Sequence, residues 1–110
     1  MIVEKQVVAE ISVVPLGTAK PGLSEYVAAC CDLLENIEGI SCQLTPMGTI
    51  LEGSLDQVLE AVRQVHEVPF TLGALRVVTT IKIDERRDKK LTMSGKLESV
   101  AKKRTQSGKK

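Results

Sequence analysis

A single carboxylate, Glu10, stands in a strongly apolar stretch near the start of the chain, where burying an unpartnered charge is costly. A carboxylate in this setting can pair with a cationic ring or accept a hydrogen bond from an exocyclic amine. The structural alternative is an ion pair with Arg76 or Lys82 across a sheet. Both interpretations fit the sequence, and Glu10 is the first candidate for a ligand contact.

Three hydroxyl side chains, Ser12, Thr45 and Thr80, stand on other segments with strand character. A hydroxyl both donates and accepts hydrogen bonds, so these residues can orient a polar heterocycle. Cross-strand hydrogen bonding is the simpler explanation for each one taken alone. As a set with Glu10, they predict a small-molecule site.

The other chemically capable side chains predict no catalysis. His66 lies beside an apolar helical stripe, which favours a histidine at the rim of the core, and no Ser or Cys nucleophile stands at a spacing that would complete a catalytic group. Arg86 and Arg87, in the run DERRDKK, could bind phosphate or sulfate through their planar guanidinium groups. A solvated connection or an intersubunit strip of ion pairs explains that run as well. We therefore expect no enzyme activity and keep both arginines as candidate anion-binding residues.

The cysteine spacing gives no sign of a disulfide framework or a metal site. Cys30 and Cys31 are adjacent, Cys42 is separate, and there is no CxxC pair. A zinc site would need further ligands, and His66 is the only histidine. We expect reduced cysteines that serve in packing, with no bound metal and no cofactor.

Composition limits the chain to one small domain and narrows its partners. The 110 residues are 43% hydrophobic and carry a net charge of +1, with Tyr26 and Phe70 as the only aromatic residues. This composition supports one core, gives no field that would attract nucleic acid or anionic membranes, and offers no aromatic platform for stacked bases. We find no apolar run long enough to span a bilayer and no signal-peptide pattern. We predict a soluble cytoplasmic domain at residues 1–104, a disordered basic tail at 105–110, and no nucleic-acid or membrane partner.

Apolar periodicity, helix caps and turns predict four strands and three helices. Ser54 and Gln57 form a capping box before the second helix, which Pro69 should end near Glu67. Gly39 suits a left-handed cap after the first helix. The predicted strands are residues 6–16, 41–46, 49–52 and 76–84, and the predicted helices begin near residues 24, 54 and 94, the last ending near 104.

The order βαββαβ with a terminal helix is that of the split βαβ, or ferredoxin-like, α+β sandwich. Both main helices would cover one face of a four-stranded antiparallel sheet and leave the other face open. Alternation puts valines, short hydroxyls and a few charges on the open face, while the parity of the third strand stays ambiguous. Such a face suits burial against a second sheet, which would give a dimer with a semi-polar slot for a small ligand. The predicted open face carries Val8, Glu10, Ser12, Val14, Gln43, Thr45, Arg76, Val78, Thr80 and Lys82.

Three stretches of the chain resemble one known family. They are AEISVVPLGT at residues 9–18, PMGTILEG at 46–53 and RVVTTIKIDERRD at 76–88, and KLESV at 96–100 continues the match. They are similar to the thiamine-binding-protein-like family of small archaeal, bacterial and fungal proteins. The resemblance implies a ferredoxin-like fold, dimers formed through the sheets and tetramers made of two dimers. It also implies a site for thiamine or its hydroxymethylpyrimidine portion near the sheet interface, with Thr49 and Glu52 at family-like positions.

The sequence thus predicts a small-molecule-binding protein for thiamine or hydroxymethylpyrimidine, with the ligand held between the sheets of a homo-oligomer. The alternative is an oligomeric protein-interaction or regulatory module without a thiamine ligand. Structural roles compete at Glu52, as a helix-entry residue, and at Gly17 and Gly48, as turn residues. The predicted ligand-binding residues are Glu10, Ser12, Thr45, Thr49 and Thr80.

Overall fold

The chain folds into one four-stranded sheet with three helices, in a computed structural model that describes residues 6–19, 22–89 and 91–106. The elements are β1 (Gln6–Pro15), α1 (Ser24–Glu35), β2 (Ser41–Thr45), β3 (Gly48–Ser54), α2 (Leu55–Thr71), β4 (Val77–Glu85) and α3 (Met93–Gln106). The strands are antiparallel and lie in the order β2-β3-β1-β4. This is the α+β ferredoxin-like arrangement predicted from the element order, and the predicted C-terminal helix is present.

Helices α1 and α2 cover one face of the sheet and form the core with it. Alternation in β1 turns Val7, Ala9 and Ile11 toward the helices, and each of them is at most 3% exposed. Leu51 on β3 and Val58 on α2 are fully buried in the same cluster. Branched aliphatic side chains thus build the core, as the scarcity of aromatic residues requires.

The pairing of β3 resolves the parity that the sequence leaves ambiguous. Leu51 lies opposite Ala9 on the helix face, so Thr49 shares that face, while Ile50 and Glu52 lie on the open face. Among the predicted ligand-binding residues, Thr49 therefore lies on the helix side of the sheet.

Helix α2 is longer than predicted, because Pro69 does not end it near Glu67. The helix continues to Thr71, with Pro69 buried in its last turn. A proline there cannot donate to the carbonyl of Val65 four residues earlier. The thiol of Cys30 on α1 lies 3.9 Å from that carbonyl oxygen and acts as its donor instead. A thiol on α1 thus replaces the N–H donor that Pro69 lacks. The local sequence of α2 does not predict this replacement.

The other helix ends follow their local signals only in part. The Ser54 hydroxyl accepts a hydrogen bond from the Gln57 N–H at 3.2 Å and caps α2. Helix α1 ends at Glu35 with Asn36 as its cap, so the prediction of Gly39 as that cap is wrong; Gly39 lies in the following loop, where its φ of 83° suits glycine. Helix α3 runs to Gln106, so Thr105 and Gln106 continue a helix where a tail was predicted. Residues 107–110 of that predicted tail lie outside the described residues.

Helix α3 is attached to the open side of the sheet near its N-terminal end. The Met93 N–H donates to Glu52 Oε2 at 2.7 Å, and Lys96 Nζ donates to Asp84 Oδ2 at 2.5 Å. A carboxylate at a helix N-terminus complements the helix dipole, so Glu52 has a helix-entry role, at α3. Farther along α3, Leu97 remains 65% exposed. The helix therefore adds little to the core of this chain.

Candidate ligand-binding cleft

Strand β1 extends beyond its partner β3 at residues 12–15. The register of β1 with β3 ends at the pair Ile11 and Thr49, whereas its register with β4 continues to the pair Pro15 and Val77. The β2–β3 hairpin turns at Gly48, where a Cβ atom would lie 2.8 Å from the Ile11 carbonyl oxygen. Glycine at this position allows the hairpin to pack directly against β1. Beyond that contact, β1 is paired on one side only.

The gap beside residues 12–15 forms a cleft of about 440 Å³ between β1, the β2–β3 hairpin and the start of α1. Its walls are mainly apolar, with Leu23 and Val27 from α1 and Leu44 from β2. None of the described residues that line the cleft is charged. Four residues that carry hydroxyl groups also line it, namely Ser12, Ser24, Thr45 and Thr49.

The main chain of Val13 faces this cleft. The Leu16 N–H donates to the Arg76 carbonyl at 2.9 Å, so the main chain of Leu16 points toward β4. Successive strand residues direct their N–H and C=O groups to alternate sides, so those of Val13 point away from β4. Pro15 points the same way and has no N–H to satisfy there. Val13 therefore offers the cleft one main-chain donor and one main-chain acceptor.

The thiol of Cys30 forms part of the cleft wall nearest the core. Burial, and to a smaller extent the neighbouring Cys31, raises the pKa of the Cys30 thiol to about 11. The thiol is therefore protonated at neutral pH and is a poor nucleophile. Cys30, Cys31 and Cys42 are all free, as predicted for reduced cysteines.

Three of the predicted ligand-binding residues, Ser12, Thr45 and Thr49, line the cleft. They come from both faces of the sheet because the cleft opens where the sheet ends. The Thr45 hydroxyl is used within the hairpin, accepting from the Gly48 N–H at 3.1 Å and donating to the Gly48 carbonyl at 2.9 Å. The hydroxyls of Ser12 and Thr49 find no hydrogen-bond partner among the described residues, so both are available to a ligand.

The other two predicted residues, Glu10 and Thr80, lie on the open face. In the pairing of β1 with β4, Glu10 lies opposite Lys82 and Thr80 lies opposite Ser12. Glu10 Oε1 lies 3.5 Å from Lys82 Nζ, which is the cross-strand ion pair offered above as the alternative to a ligand contact. Both side chains are exposed, so the pair contributes little to stability. Glu10 also borders a hollow of about 390 Å³ next to α3, together with Ile50 and Lys96. The predicted residues are thus divided between the cleft and the open face.

His66 has a structural partner on β4. Its Nδ1 lies 2.7 Å from Thr79 Oγ1, and its ring meets Phe70 edge-on with 5.6 Å between ring centroids. The half-buried ring fits the rim of the core, as the sequence favours.

Arg86 and Arg87 are paired with carboxylates within their own segment. Arg86 Nε donates to Asp88 Oδ1 at 2.9 Å, and Arg87 Nε donates to Glu85 Oε2 at 2.8 Å. The Arg86 guanidinium holds the pKa of Asp88 below its usual range. An anion would have to compete with these carboxylates, so anion binding here stays a prediction.

Within residues 6–19, 22–89 and 91–106, no group of three or more His, Cys, Asp or Glu side chains is placed to hold a metal ion. Over the same ranges, no helix is both long and apolar enough to cross a membrane.

Sequence reasoning missed the contributions of Val13, Leu23 and Met47 to the cleft. Two signals were available. The predicted first strand is much longer than the predicted third strand. Pro15, near the end of the first strand, has no N–H that would need a partner on a neighbouring strand. Together they indicate a strand that outruns its partner, but the identity of the partner depends on the tertiary fold.

Known proteins resemble this chain over most of its length. The sequence pattern of the family described as thiamine-binding protein matches residues 9–101. The UPF0045 protein YqgV of Bacillus subtilis is 44% identical over 98 residues, covering 86% of this chain and 94% of the relative. A UPF0045 protein of Methanothermobacter thermautotrophicus is 43% identical over 98 residues, covering 88% and 98%.

Solved structures extend the likeness to the fold. The hypothetical protein MJ1052 of Methanocaldococcus jannaschii superposes with a TM-score of 0.80 at 36% identity, covering 88% of this chain and 97% of that one. A Thermotoga maritima protein named as a candidate for thiamine biosynthesis or salvage gives a TM-score of 0.73 at 21% identity, covering 86% and 98%, a likeness of fold. The resemblance noted in the sequence is thereby confirmed, and the chain belongs to the thiamine-binding protein family.

Proposed function

We propose that the protein binds thiamine or its hydroxymethylpyrimidine portion, and that the ligand lies in the cleft beside residues 12–15. The observation that carries the proposal is an apolar cleft with free hydroxyls in a chain of the thiamine-binding protein family. The cleft volume of about 440 Å³ falls within the range of roughly 300–1,000 Å³ typical of small-molecule sites.

The lining of the cleft suits a small heterocycle with apolar ring faces and polar edges. Leu23, Val27 and Leu44 can pack against the faces of a pyrimidine ring. Ser12 and Thr49 can exchange hydrogen bonds with amino, ring-nitrogen or hydroxymethyl groups. The described lining residues include no carboxylate, so they offer no ion pair to the cationic thiazolium ring of thiamine. The neutral pyrimidine portion is therefore the better match.

Self-association is the second part of the proposal. Strand β4 lies at one edge of the sheet, and its side chains Val78, Ile81 and Ile83 are substantially exposed. An edge strand with exposed apolar side chains is a template for pairing with another chain. This supports the predicted homo-oligomer, a dimer or a dimer of dimers. The same surface supports the alternative function, an oligomeric interaction or regulatory module without a thiamine ligand.

Isothermal titration calorimetry with hydroxymethylpyrimidine and with thiamine tests the ligand, and two matched variants test the site. Thr49→Val removes a hydroxyl from the cleft, and Thr80→Val makes the same change on the open face. We expect Thr49→Val to weaken binding about 3- to 10-fold, through the loss of one hydrogen bond. Thr80→Val should bind like the unaltered protein.

The opposite ranking of these variants would favour a ligand on the open face, in the slot between sheets predicted from the sequence. Absence of binding heat, together with an unchanged melting temperature at millimolar ligand, would contradict ligand binding and favour the interaction module. Light scattering of the same samples gives the mass of the assembly. A monomeric mass at the concentrations used would contradict the homo-oligomer.

A further inference from the structure

The main-chain edge of Val13 is a fixed polar feature of the cleft without a strand partner among the described residues. Its N–H and C=O face the cleft, and the register of β1 with β3 has already ended at Ile11. Among the described residues, none forms a backbone hydrogen bond to Val13 from this side. A ligand in the cleft can supply partners to both groups in place of water.

This edge is held rigidly. Ser12 pairs with Thr80 and Val14 pairs with Val78 on β4, so the main chain between them cannot turn away. The hydroxyls of the cleft rotate, whereas the Val13 groups have one direction. A donor and an acceptor that are preorganised in this way favour a ligand with matching groups, because binding orders nothing further.

A 4-aminopyrimidine carries matching groups side by side. Its amino group is a donor, and the adjacent ring nitrogen is an acceptor. A strand residue with both main-chain groups on one side normally exchanges two hydrogen bonds with the residue opposite it. An aminopyrimidine ring entering edge-on offers the same two-bond exchange, and its 4-oxo analogue presents the donor and the acceptor in reversed positions.

We infer that the main chain of Val13 recognises the amino edge of the pyrimidine, its C=O accepting from the amino group and its N–H donating to the adjacent ring nitrogen. The inference rests on the proposed function and deepens it by naming the ligand class as 4-aminopyrimidines. Selectivity at the 4-position then comes from the backbone, so no side chain is responsible for it.

Calorimetry on the unaltered protein with hydroxymethylpyrimidine and its 4-oxo analogue is the first test. We expect the 4-oxo analogue to bind at least about tenfold more weakly, because both hydrogen bonds are mismatched in the orientation of the amino compound, and turning the ring over to restore them exchanges the positions of its 5-hydroxymethyl and 2-methyl groups in the cleft. Equal affinity would overturn the role of Val13 and leave the proposed function standing. Failure of both compounds to bind would overturn the proposed function and this inference together.

A pair of variants tests the residue itself. Val13→Pro removes the N–H, as Pro15 already does two residues later on the same edge. Val13→Ala is the control, because it trims the side chain and keeps the N–H. We expect Val13→Pro to bind hydroxymethylpyrimidine about tenfold more weakly than Val13→Ala. Equal affinities would overturn the inference, and if Val13→Pro fails to fold, the comparison of the two compounds decides.

Discussion

The two halves of β1 differ in how they are paired. Residues 6–11 pair with β3 on one side and β4 on the other, and Val7, Ala9 and Ile11 are buried there. Residues 12–15 pair with β4 alone, and Ser12, Val13 and Val14 line the cleft. One strand thus builds the core at one end and a candidate binding surface at the other. The difference arises from the unequal lengths of neighbouring strands and needs no special motif.

A strand end that lacks one neighbour combines rigidity with unused hydrogen-bonding groups. Pairing to β4 fixes the main chain of residues 12–15, while the groups that face the other way stay available. A site built on a strand is positioned more accurately than one built on a loop. The contrast between the halves therefore predicts that substitutions of side chains in the doubly paired half change stability, whereas loss of the groups that face the cleft in the singly paired half changes binding.

Leu51→Ala should have the largest effect, because it opens a cavity beside the doubly paired half of β1. Leu51 is fully buried opposite Ala9, and such a change costs about 2–5 kcal/mol of unfolding free energy. The matched control is Leu44→Ala, since Leu44 is 56% exposed and lines the cleft. We expect it to cost about 0.5 kcal/mol and to weaken ligand binding. Urea denaturation measures the stability of both variants. Equal losses of stability would contradict the difference between the core and the cleft.

Val14→Pro should have the next largest effect on stability. The main chain of Val14 faces β4, where Val14 pairs with Val78, so proline removes a sheet hydrogen bond and leaves a carbonyl without its donor. The expected cost is about 1–3 kcal/mol. Val13→Pro, one residue earlier, removes an N–H without a strand partner and should cost clearly less. Thermal denaturation ranks the stability of the two variants. A greater loss of stability for Val13→Pro would mean that the main chain of Val13, and not that of Val14, faces β4.

Local signals in the sequence were sufficient for most of the fold and for part of the site. Ser54 with Gln57 marks the start of α2 by short-range chemistry, which is readable without tertiary structure. The extension of α2 past Pro69 was not readable, because the compensating donor, Cys30, belongs to another helix. The cleft depends in the same way on the register between β1 and β3. Parity alone therefore grouped Ser12 with the open face and could not reveal that it lines the same cleft as Thr49 at the end of the sheet.

Thr45→Val should have a smaller effect, at the hairpin that closes the cleft. Its hydroxyl exchanges hydrogen bonds with both main-chain groups of Gly48, and their loss should cost about 1 kcal/mol. The less constrained hairpin should also bind ligand more weakly. Thr49→Val serves as the control, because its hydroxyl has no partner among the described residues and its stability should stay within about 0.5 kcal/mol. Equal destabilisation in urea would contradict the separate roles assigned to the two hydroxyls.

The last effect on stability is a pH dependence that Cys30 confers. The free thiol ionises near pH 9.0, whereas burial raises the pKa of Cys30 to about 11 in the folded chain. Between these values the unfolded chain releases a proton that the folded chain keeps. The free energy of unfolding should therefore fall as pH rises through this window, and Cys30→Ala should reduce that slope. Urea denaturation from pH 8 to 11 measures it, and an unchanged slope would contradict the burial of this thiol.

The same thiol reports whether the singly paired half of β1 receives the ligand. Cys30 lines the cleft and Cys31, its neighbour on α1, does not. Alkylation of Cys30 by iodoacetamide should be slow at neutral pH because little thiolate forms. Bound hydroxymethylpyrimidine should slow it further by covering the thiol, while Cys31 should react at an unchanged rate. Peptide mass spectrometry distinguishes the two residues, and protection of Cys31 to the same degree would mean that the ligand acts on α1 as a whole and does not fill the cleft.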